Sequence, residues 1–136
     1  MDNMGFREIG ISEMAREIEG LANVDQIAPE VLEAAAPILE KALKRQVRAE
    51  ANKGYATGDL EGSIKANKPK KNQYGYFVSV TATGKDRKGV RNNEKLAYLN
   101  NGTSKQQARP VIAKARQQAE GECLRAMQEK FNEVAK

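Results

Sequence analysis

A chain of 136 residues, 40% hydrophobic and 5% aromatic, fits a single domain, residues 1–136, with a modest core. It contains no histidine and one cysteine, Cys123, so an intrachain disulfide is excluded and the usual zinc sites cannot be built. The net charge of +5 indicates a partner with negative charge. No apolar run is long enough to span a bilayer and no secretory signal pattern opens the chain, which predicts a protein made in the cytoplasm.

Residues 1–53 are predicted to be helical. Ser12 begins a short helix that reaches about Asn23, and its apolar residues recur three and four positions apart. Such a stripe is enough to dock a helix but not to stabilise it alone. The stripe consists of Met14, Ile18 and Leu21.

A second, longer helix is predicted to carry Pro29 in its first turn and to end near Asn52. Pro37 falls inside the pattern, and an interior proline removes a backbone hydrogen bond, so the helix is predicted to be bent or split there. The apolar stripe of this helix is Leu32, Ala35, Leu39, Ala42 and Leu43, widened by Val31 and Ile38.

One face of the second helix is basic. Lys41, Lys44, Arg45 and Arg48 are spaced at i, i+3, i+4 and i+7, which places them on the same side. Two interpretations stay open: a solvated face whose cations suit the negative end of the helix dipole, or a stripe that lines a channel for DNA.

Residues 54–82 are predicted to form a bend and a β-hairpin. Gly54 ends the helix, and the bend from Thr57 to Gly62 leads into a strand from about Ser63 to Asn67. Lys68 to Gln73 is a polar connection of hairpin length. The return strand, Tyr74 to Ala82, alternates with period two and places Tyr76, Val78 and Val80 on one side.

Residues 83–96 are predicted to be a charged loop. The stretch from Thr83 to Lys95 has no apolar period and lacks the spacing of a phosphate-binding loop. Long solvated loops often become ordered on binding a partner, so this loop is a candidate contact with a neighbouring subunit. Its candidate residues are Lys85, Arg87, Lys88 and Arg91.

Residues 97–136 are predicted to form a turn and a long amphipathic helix. Leu96 to Leu99 is a single helical turn or a third short strand, closed by Asn100 to Thr103, and Pro110 opens the final helix. This helix is predicted to cover one face of the hairpin, giving an α+β fold. Its apolar stripe is Ile112, Ala115, Ala119, Cys123, Met127, Phe131 and Val134, which makes Cys123 a buried small hydrophobe.

Catalysis is not expected. Without histidine or a reactive cysteine, acid–base chemistry would fall to carboxylates, and Glu17, Glu33, Asp59 and Glu61 form no recognisable constellation. We therefore expect no catalytic residue, no cofactor, no metal, no small-molecule substrate and no membrane partner.

Two segments carry a family pattern. The first is Thr57-Gly58-Asp59-Leu60-Glu61-Gly62-Ser63-Ile64, and the second runs from Ala97 through the Gly102-Thr103 pair to Ala108-Arg109-Pro110. Glycine reaches positive φ without steric cost, so Gly58, Gly62 and Gly102 are predicted to mark bends. Together the segments resemble the core pattern of the HK97 gp10-like family of tailed-phage neck, head-tail joining and tail-completion proteins.

The resemblance implies a structural virion component of a tailed bacteriophage or prophage, made in the host cytoplasm and placed at the head-tail junction. Such a protein would form a ring of its own copies, contact an adjacent connector or tail-tube protein, and touch passing DNA only transiently. The resemblance assigns the structural frame to Thr57, Gly58, Leu60, Ser63, Ile64, Tyr98, Gly102, Thr103, Arg109 and Pro110. The alternative is a small basic nucleic-acid-binding module that uses the helical stripe with Lys68, Lys70 and Lys71.

Overall fold

The computed structural model describes residues 24–51, 58–73, 75–105 and 107–134. The predicted helix from Ser12 to Asn23, Gly54 and Thr57 lie outside these ranges. Helices combined with short antiparallel strands confirm the α+β class. The elements are α1 (Val24–Ala51), α2 (Gly58–Ser63), β1 (Ile64–Ala66), β2 (Lys70–Asn72), β3 (Gly75–Phe77), β4 (Val80–Ala82), α3 (Asn92–Asn101) and α4 (Val111–Val134).

Helix α1 is continuous through both of its prolines. Pro29 lies inside it rather than in the first turn, and no break divides it at Pro37, so the split that the sequence allowed is wrong. Ala35 and Leu39, on either side of Pro37, are fully buried. Their packing offsets the cost of an interior proline, about 3 kcal/mol. The predicted stripe is confirmed: all of its members are buried except Ile38, which is half-buried against the core.

Helix α4 packs antiparallel along α1. Cys123 Sγ lies 3.9 Å from the carbonyl oxygen of Ala35, and Gln46 Nε2 donates to Gln118 Oε1 at 2.8 Å further along the pair. The predicted stripe of α4 faces this contact, where its alanines allow close approach. The sequence predicted that this helix covers the hairpin, whereas its main partner is α1.

The hairpin is longer than predicted and irregular in its middle. β1 pairs with β4 and β2 pairs with β3, both antiparallel. Between the two ladders the first strand has residues 67–69 and the second only 78–79, so the first strand carries one extra residue, as in a β-bulge. Pro69, which cannot donate to a ladder, lies in this extra segment. The predicted connection Lys68–Gln73 is therefore partly strand: Lys70–Asn72 pairs with Gly75–Phe77.

One face of the hairpin faces the core, as the period-two pattern predicts. Val78, Val80 and Ala82 are buried, and Tyr76 packs against the same cluster. The other strand is tied to α1, because the backbone N–H of Ala66 donates to Glu40 Oε1 at 2.7 Å. The hairpin thus lies against α1, which also packs against α4.

The predicted bend before the hairpin is a short helix. In α2, Leu60 is 1% exposed, and Ser63 Oγ donates to the carbonyl oxygen of Leu60 at 2.7 Å, which helps to end the helix. Gly58 and Gly62 have negative φ angles, so the prediction of positive-φ bends at these two positions is wrong. Because Leu60 is buried, this segment forms a helical turn, whereas its glycines had indicated a bend.

Helix α3 replaces the end of the predicted loop. It begins at Asn92 and includes Leu96 and Leu99, both buried, so the helical alternative is correct but the helix is longer than one turn. Gly102 ends it with φ 80°, as predicted, and its N–H donates to the carbonyl oxygen of Tyr98 at 2.8 Å. Within the described ranges, none of the helices is long and apolar enough to cross a membrane.

Candidate interaction surfaces

The two segments on which the family resemblance rests meet the same end of α1. Arg48 Nε donates to Glu61 Oε1 of α2 at 2.8 Å, and this hydrogen bond and the Glu61 charge raise the pKa of Arg48. Two residues further along, the buried carboxylate of Glu50 lies 3.9 Å from Arg109 Nε. The C-terminal end of α1 therefore holds both segments by charged contacts.

The second segment also fixes the start of α4. Asn100 Oδ1 accepts the backbone N–H of Ile112 at 3.0 Å, and the N–H of Arg109 donates to the carbonyl oxygen of Leu99 at 2.7 Å. Because the first N–H groups of a helix have no partner within it, the Asn100 amide acts as a cap supplied from α3. Tyr98, by contrast, is 51% exposed on α3.

The remaining residues of the predicted frame divide between core and surface. Leu60, Ser63 and Ile64, the predicted anchor of the hairpin, are buried. Thr103 and Pro110 are exposed. The frame is thus a buried anchor followed by an exposed connection into α4.

The charged loop is organised around Asp86. Its Oδ1 accepts the backbone N–H groups of Lys88 at 2.8 Å and Val90 at 2.9 Å, and its Oδ2 accepts Lys95 Nζ at 3.0 Å. The hydrogen bond from Lys95, then those from the backbone, hold the pKa of Asp86 below its ordinary value. Asn92 adds a further bond, from Nδ2 to the carbonyl oxygen of Thr83 at 2.8 Å. The loop therefore has a defined shape.

The four basic residues predicted for this loop separate into two kinds. Arg87 makes a bidentate contact with Asp59 of α2, at 2.9 and 3.1 Å, which lowers the pKa of Asp59. Arg91 pairs with Glu94 at 3.2 Å. Lys85 and Lys88 are exposed and form no ion pair within the part of the chain that the structure describes. These two lysines are the cations that the loop offers to a partner.

The basic stripe of α1 borders a groove of about 410 Å³ between α1 and α4. Arg48 is bonded to Glu61, and Lys44 Nζ lies 3.7 Å from Glu40 Oε2. Lys41 and Arg45 are exposed and make no ion pair or hydrogen bond to any residue that the structure describes. The groove is lined by Pro37, Ile38, Lys41, Lys44, Arg45, Arg48 and Glu122.

The second basic group of the sequence lies on the outer part of the hairpin. Lys71 Nζ lies 3.6 Å from Asp25 Oδ1 and 5.2 Å from the centre of the Tyr76 ring. The Tyr76 hydroxyl donates to the same carboxylate oxygen. Lys68 and Lys70 are exposed. Lys71 therefore ties β2 to the start of α1.

Three contributors to these surfaces were not predicted: Glu50, Asp86 and Asn100. In the sequence, Glu50 is a single carboxylate at the end of a basic helix, and Asp86 lies between two glycines, which indicates a turn. The partners of both residues are distant in sequence. Among the residues described, no group of three or more cysteine or carboxylate side chains is placed to hold a metal ion. Burial raises the pKa of the Cys123 thiol to about 11.

Comparisons of the chain with protein-family models, with curated proteins and with solved structures find no match.

Proposed function

We propose that this protein is a ring-forming structural subunit at the head-tail junction of a tailed bacteriophage or prophage, a neck or tail-completion protein of the HK97 gp10-like kind. One observation carries the proposal beyond the sequence pattern: both pattern segments meet residues 48–50 of α1, through Glu61 and Arg109. Segments that are 33 or more residues apart in sequence, from Ile64 to Ala97, thus form one frame.

The function of such a frame is geometric. Residues Ile64 and Leu60 anchor the hairpin in the core, while Asn100 and Arg109 set the start of α4. A rigid frame keeps the exposed loop in a constant position, which a closed ring needs because each subunit must present the same contact to its neighbour. The exposed Lys85 and Lys88 offer positive charge for that contact.

A nucleic-acid-binding module is the alternative, and the pairing of the cations argues against it. Arg48, Lys44 and Lys71 each have a carboxylate partner within the protein, so fewer cations remain to release counterions from phosphates. A mild residual charge suits a ring through which DNA passes, because strong binding would hold the DNA.

Native mass spectrometry and negative-stain microscopy of the full chain test the proposal, alone and mixed with the connector or tail-tube protein encoded beside it. We expect a closed homo-oligomer of one copy number, or a ring that forms on addition of the neighbour. A strict monomer under both conditions that binds short duplex DNA tightly at physiological salt would replace the proposal with the module.

Charge reversal in the loop provides the matched variant. Lys85→Glu with Lys88→Glu changes exposed side chains and should leave the unfolding midpoint unchanged while reducing the oligomer fraction. The control is Lys68→Glu with Lys70→Glu on the hairpin, which makes the same charge change elsewhere. Equal losses of assembly in both variants would show that net charge, rather than the loop, controls assembly.

A further inference from the structure

The solvent-facing side of α1 is divided by charge at Pro37. The half before Pro37 carries Glu30 and Glu33, and the half after it carries Lys41 and Lys44. Neighbouring members of this set are three or four residues apart, which places them along one side of the helix. All are exposed except Lys44, which is half-buried. One face of α1 is therefore acidic at one end and basic at the other.

The two halves of this face are matched in position. Glu33 lies four residues before Pro37, and Lys41 lies four residues after it. Glu30 and Lys44 lie seven residues before and after the same proline. If two copies of α1 pack antiparallel about a two-fold axis at Pro37, each acidic half lies opposite the basic half of the other copy. Parallel packing would place like charges together and would be repulsive.

The charges of this face are available to a partner. Glu30, Glu33 and Lys41 form no ion pair or hydrogen bond with any residue that the structure describes. The basic half has four cations bordered by three carboxylates, one of them on α4, so it keeps one net positive charge. The cations are Lys41, Lys44, Arg45 and Arg48, and the carboxylates are Glu40, Glu61 and Glu122.

The centre of the face is apolar. Pro37 is exposed, and Ala34 and Ile38 beside it are half-buried. At a two-fold axis the Pro37 of one copy meets the same residue of the other, so this apolar centre is covered and the charged pairs lie around it. An apolar centre with a polar rim is the usual arrangement of a protein–protein interface.

A second copy is the occupant that uses both halves of the face. A nucleic acid would be attracted by the basic half but repelled by Glu30 and Glu33 on the same side. An acidic peptide would pair with the basic half and leave these two glutamates without a partner. Only a surface with the opposite order of charges satisfies the whole face, and α1 itself has that order when it is turned end to end.

We propose that α1 packs against α1 of a second copy of this chain, antiparallel about a two-fold axis at Pro37. Glu30 and Glu33 of each copy then face Lys41 and Lys44 of the other. Because the same patch is used on both sides, this contact closes a dimer. It is independent of the ring proposal, since it does not use the charged loop.

Thiol cross-linking of the full-length protein tests the two-fold axis. In a Cys123→Ala background, Pro37→Cys gives one thiol per chain, so a short bismaleimide can join only two chains. Pro37 is exposed, so its replacement leaves the core intact. The control is Gln26→Cys, on the same face but 11 residues from Pro37, which places its two copies about 33 Å apart in the antiparallel pair. We expect about fivefold or more covalent dimer from Pro37→Cys than from the control at equal protein concentration.

Charge reversal identifies the residues that face each other. In the Pro37→Cys background, Glu30→Lys with Glu33→Lys makes both halves basic, and Lys41→Glu with Lys44→Glu makes both halves acidic. Each variant alone should lose about threefold or more of its covalent dimer, and an equal mixture of the two should restore the yield as a mixed dimer. A heavy nitrogen isotope in one variant identifies the mixed dimer by mass, and circular dichroism checks that each variant is folded.

Three results would overturn the proposal. Equal yields from Pro37→Cys and Gln26→Cys would indicate a parallel pair or random encounter. Failure of the mixture to form the mixed dimer would show that the two halves do not face each other. The cross-link should also persist in Lys85→Glu with Lys88→Glu, and its loss there would show that the contact depends on the charged loop rather than on α1.

Discussion

Glu50 at the end of α1 lies beside Arg109, the residue that precedes Pro110, with 3.9 Å between Glu50 Oε2 and Arg109 Nε. Glu50 is only 5% exposed, so its charge depends on partners within the protein. The contact spans 59 positions of sequence, from 50 to 109, and links α1 to the connection into α4. Removing this contact should therefore lower the stability of the fold.

Arg109→Met should destabilise the protein by about 2 kcal/mol, because it removes a cation from a buried carboxylate while keeping most of the side-chain volume. Urea unfolding followed by circular dichroism measures the change. Arg125→Met, an exposed position on α4, is the control and should stay within about 0.5 kcal/mol of the parent. Adding Glu50→Gln to Arg109→Met should recover part of the loss, and simple addition of the two single effects would contradict the coupling.

The cap from Asn100 to Ile112 predicts a second stability change. Asn100→Ala removes the acceptor for an N–H in the first turn of α4 and should cost about 1 kcal/mol. Asn100→Asp keeps an acceptor oxygen near a helix N-terminus and should lose much less. Urea unfolding of the two variants distinguishes them, and equal losses would show that packing of Asn100, not the cap, is responsible.

The helical stripes were predictable because their signal is local. Leu32 to Leu43 and Ile112 to Met127 repeat every three to four residues, and both stripes are buried as expected. The partner of α4 was not predictable in this way. Periodicity identifies which side of a helix is buried, but the same apolar side can pack against either a helix or a sheet.

The errors around the turns also have physical causes. Gly58 and Gly62 suggest bends, yet burial of Leu60 favours a helical turn that glycine tolerates. Lys70 to Asn72 form a strand without apolar alternation, because both faces of that strand are exposed. Asp86, Asn100 and Glu50 act through partners that only the folded chain brings near, so their roles could not be read from spacing.

Two glycines should respond in opposite directions to alanine. Gly121 lies inside α4, and apart from its own helical backbone no atom of the described residues lies within 4 Å of where a Cβ would stand, so Gly121→Ala should stabilise the protein by about 1 kcal/mol. Gly102 has φ 80°, and Gly102→Ala should destabilise by about 1 kcal/mol or more. Urea unfolding of both variants gives the comparison, and a loss of stability in Gly121→Ala would indicate that an unseen partner surface contacts this side of α4.

Cys123 should be unreactive in the folded protein. With a pKa of about 11, only about one thiol in a thousand is ionised at pH 8. A chromogenic disulfide reagent should therefore react about a hundredfold or more slowly with the native protein than with the urea-unfolded protein.

Since folding raises this pKa from 9.0, the thiol contributes stability below pH 9 that is lost as the pH rises toward 11. Cys123→Ala is the control and should lack that part of the alkaline loss. Rapid labelling of the native protein at pH 8 would contradict the burial of the thiol.

The contacts of Asp86 predict that the stability of the protein falls at acid pH. Its folded pKa lies below the ordinary 3.8 because Lys95 and two backbone N–H groups bind the ionised form, so its contribution is present above about pH 4 and falls as the pH drops through the folded pKa. Asp86→Asn should remove this dependence and flatten the fall in unfolding free energy below pH 4. Glu129→Gln makes the same change of charge at an exposed carboxylate on α4 and is the control. If the acid limbs of Asp86→Asn and the parent superimpose, the Asp86–Lys95 contact does not hold the loop in solution.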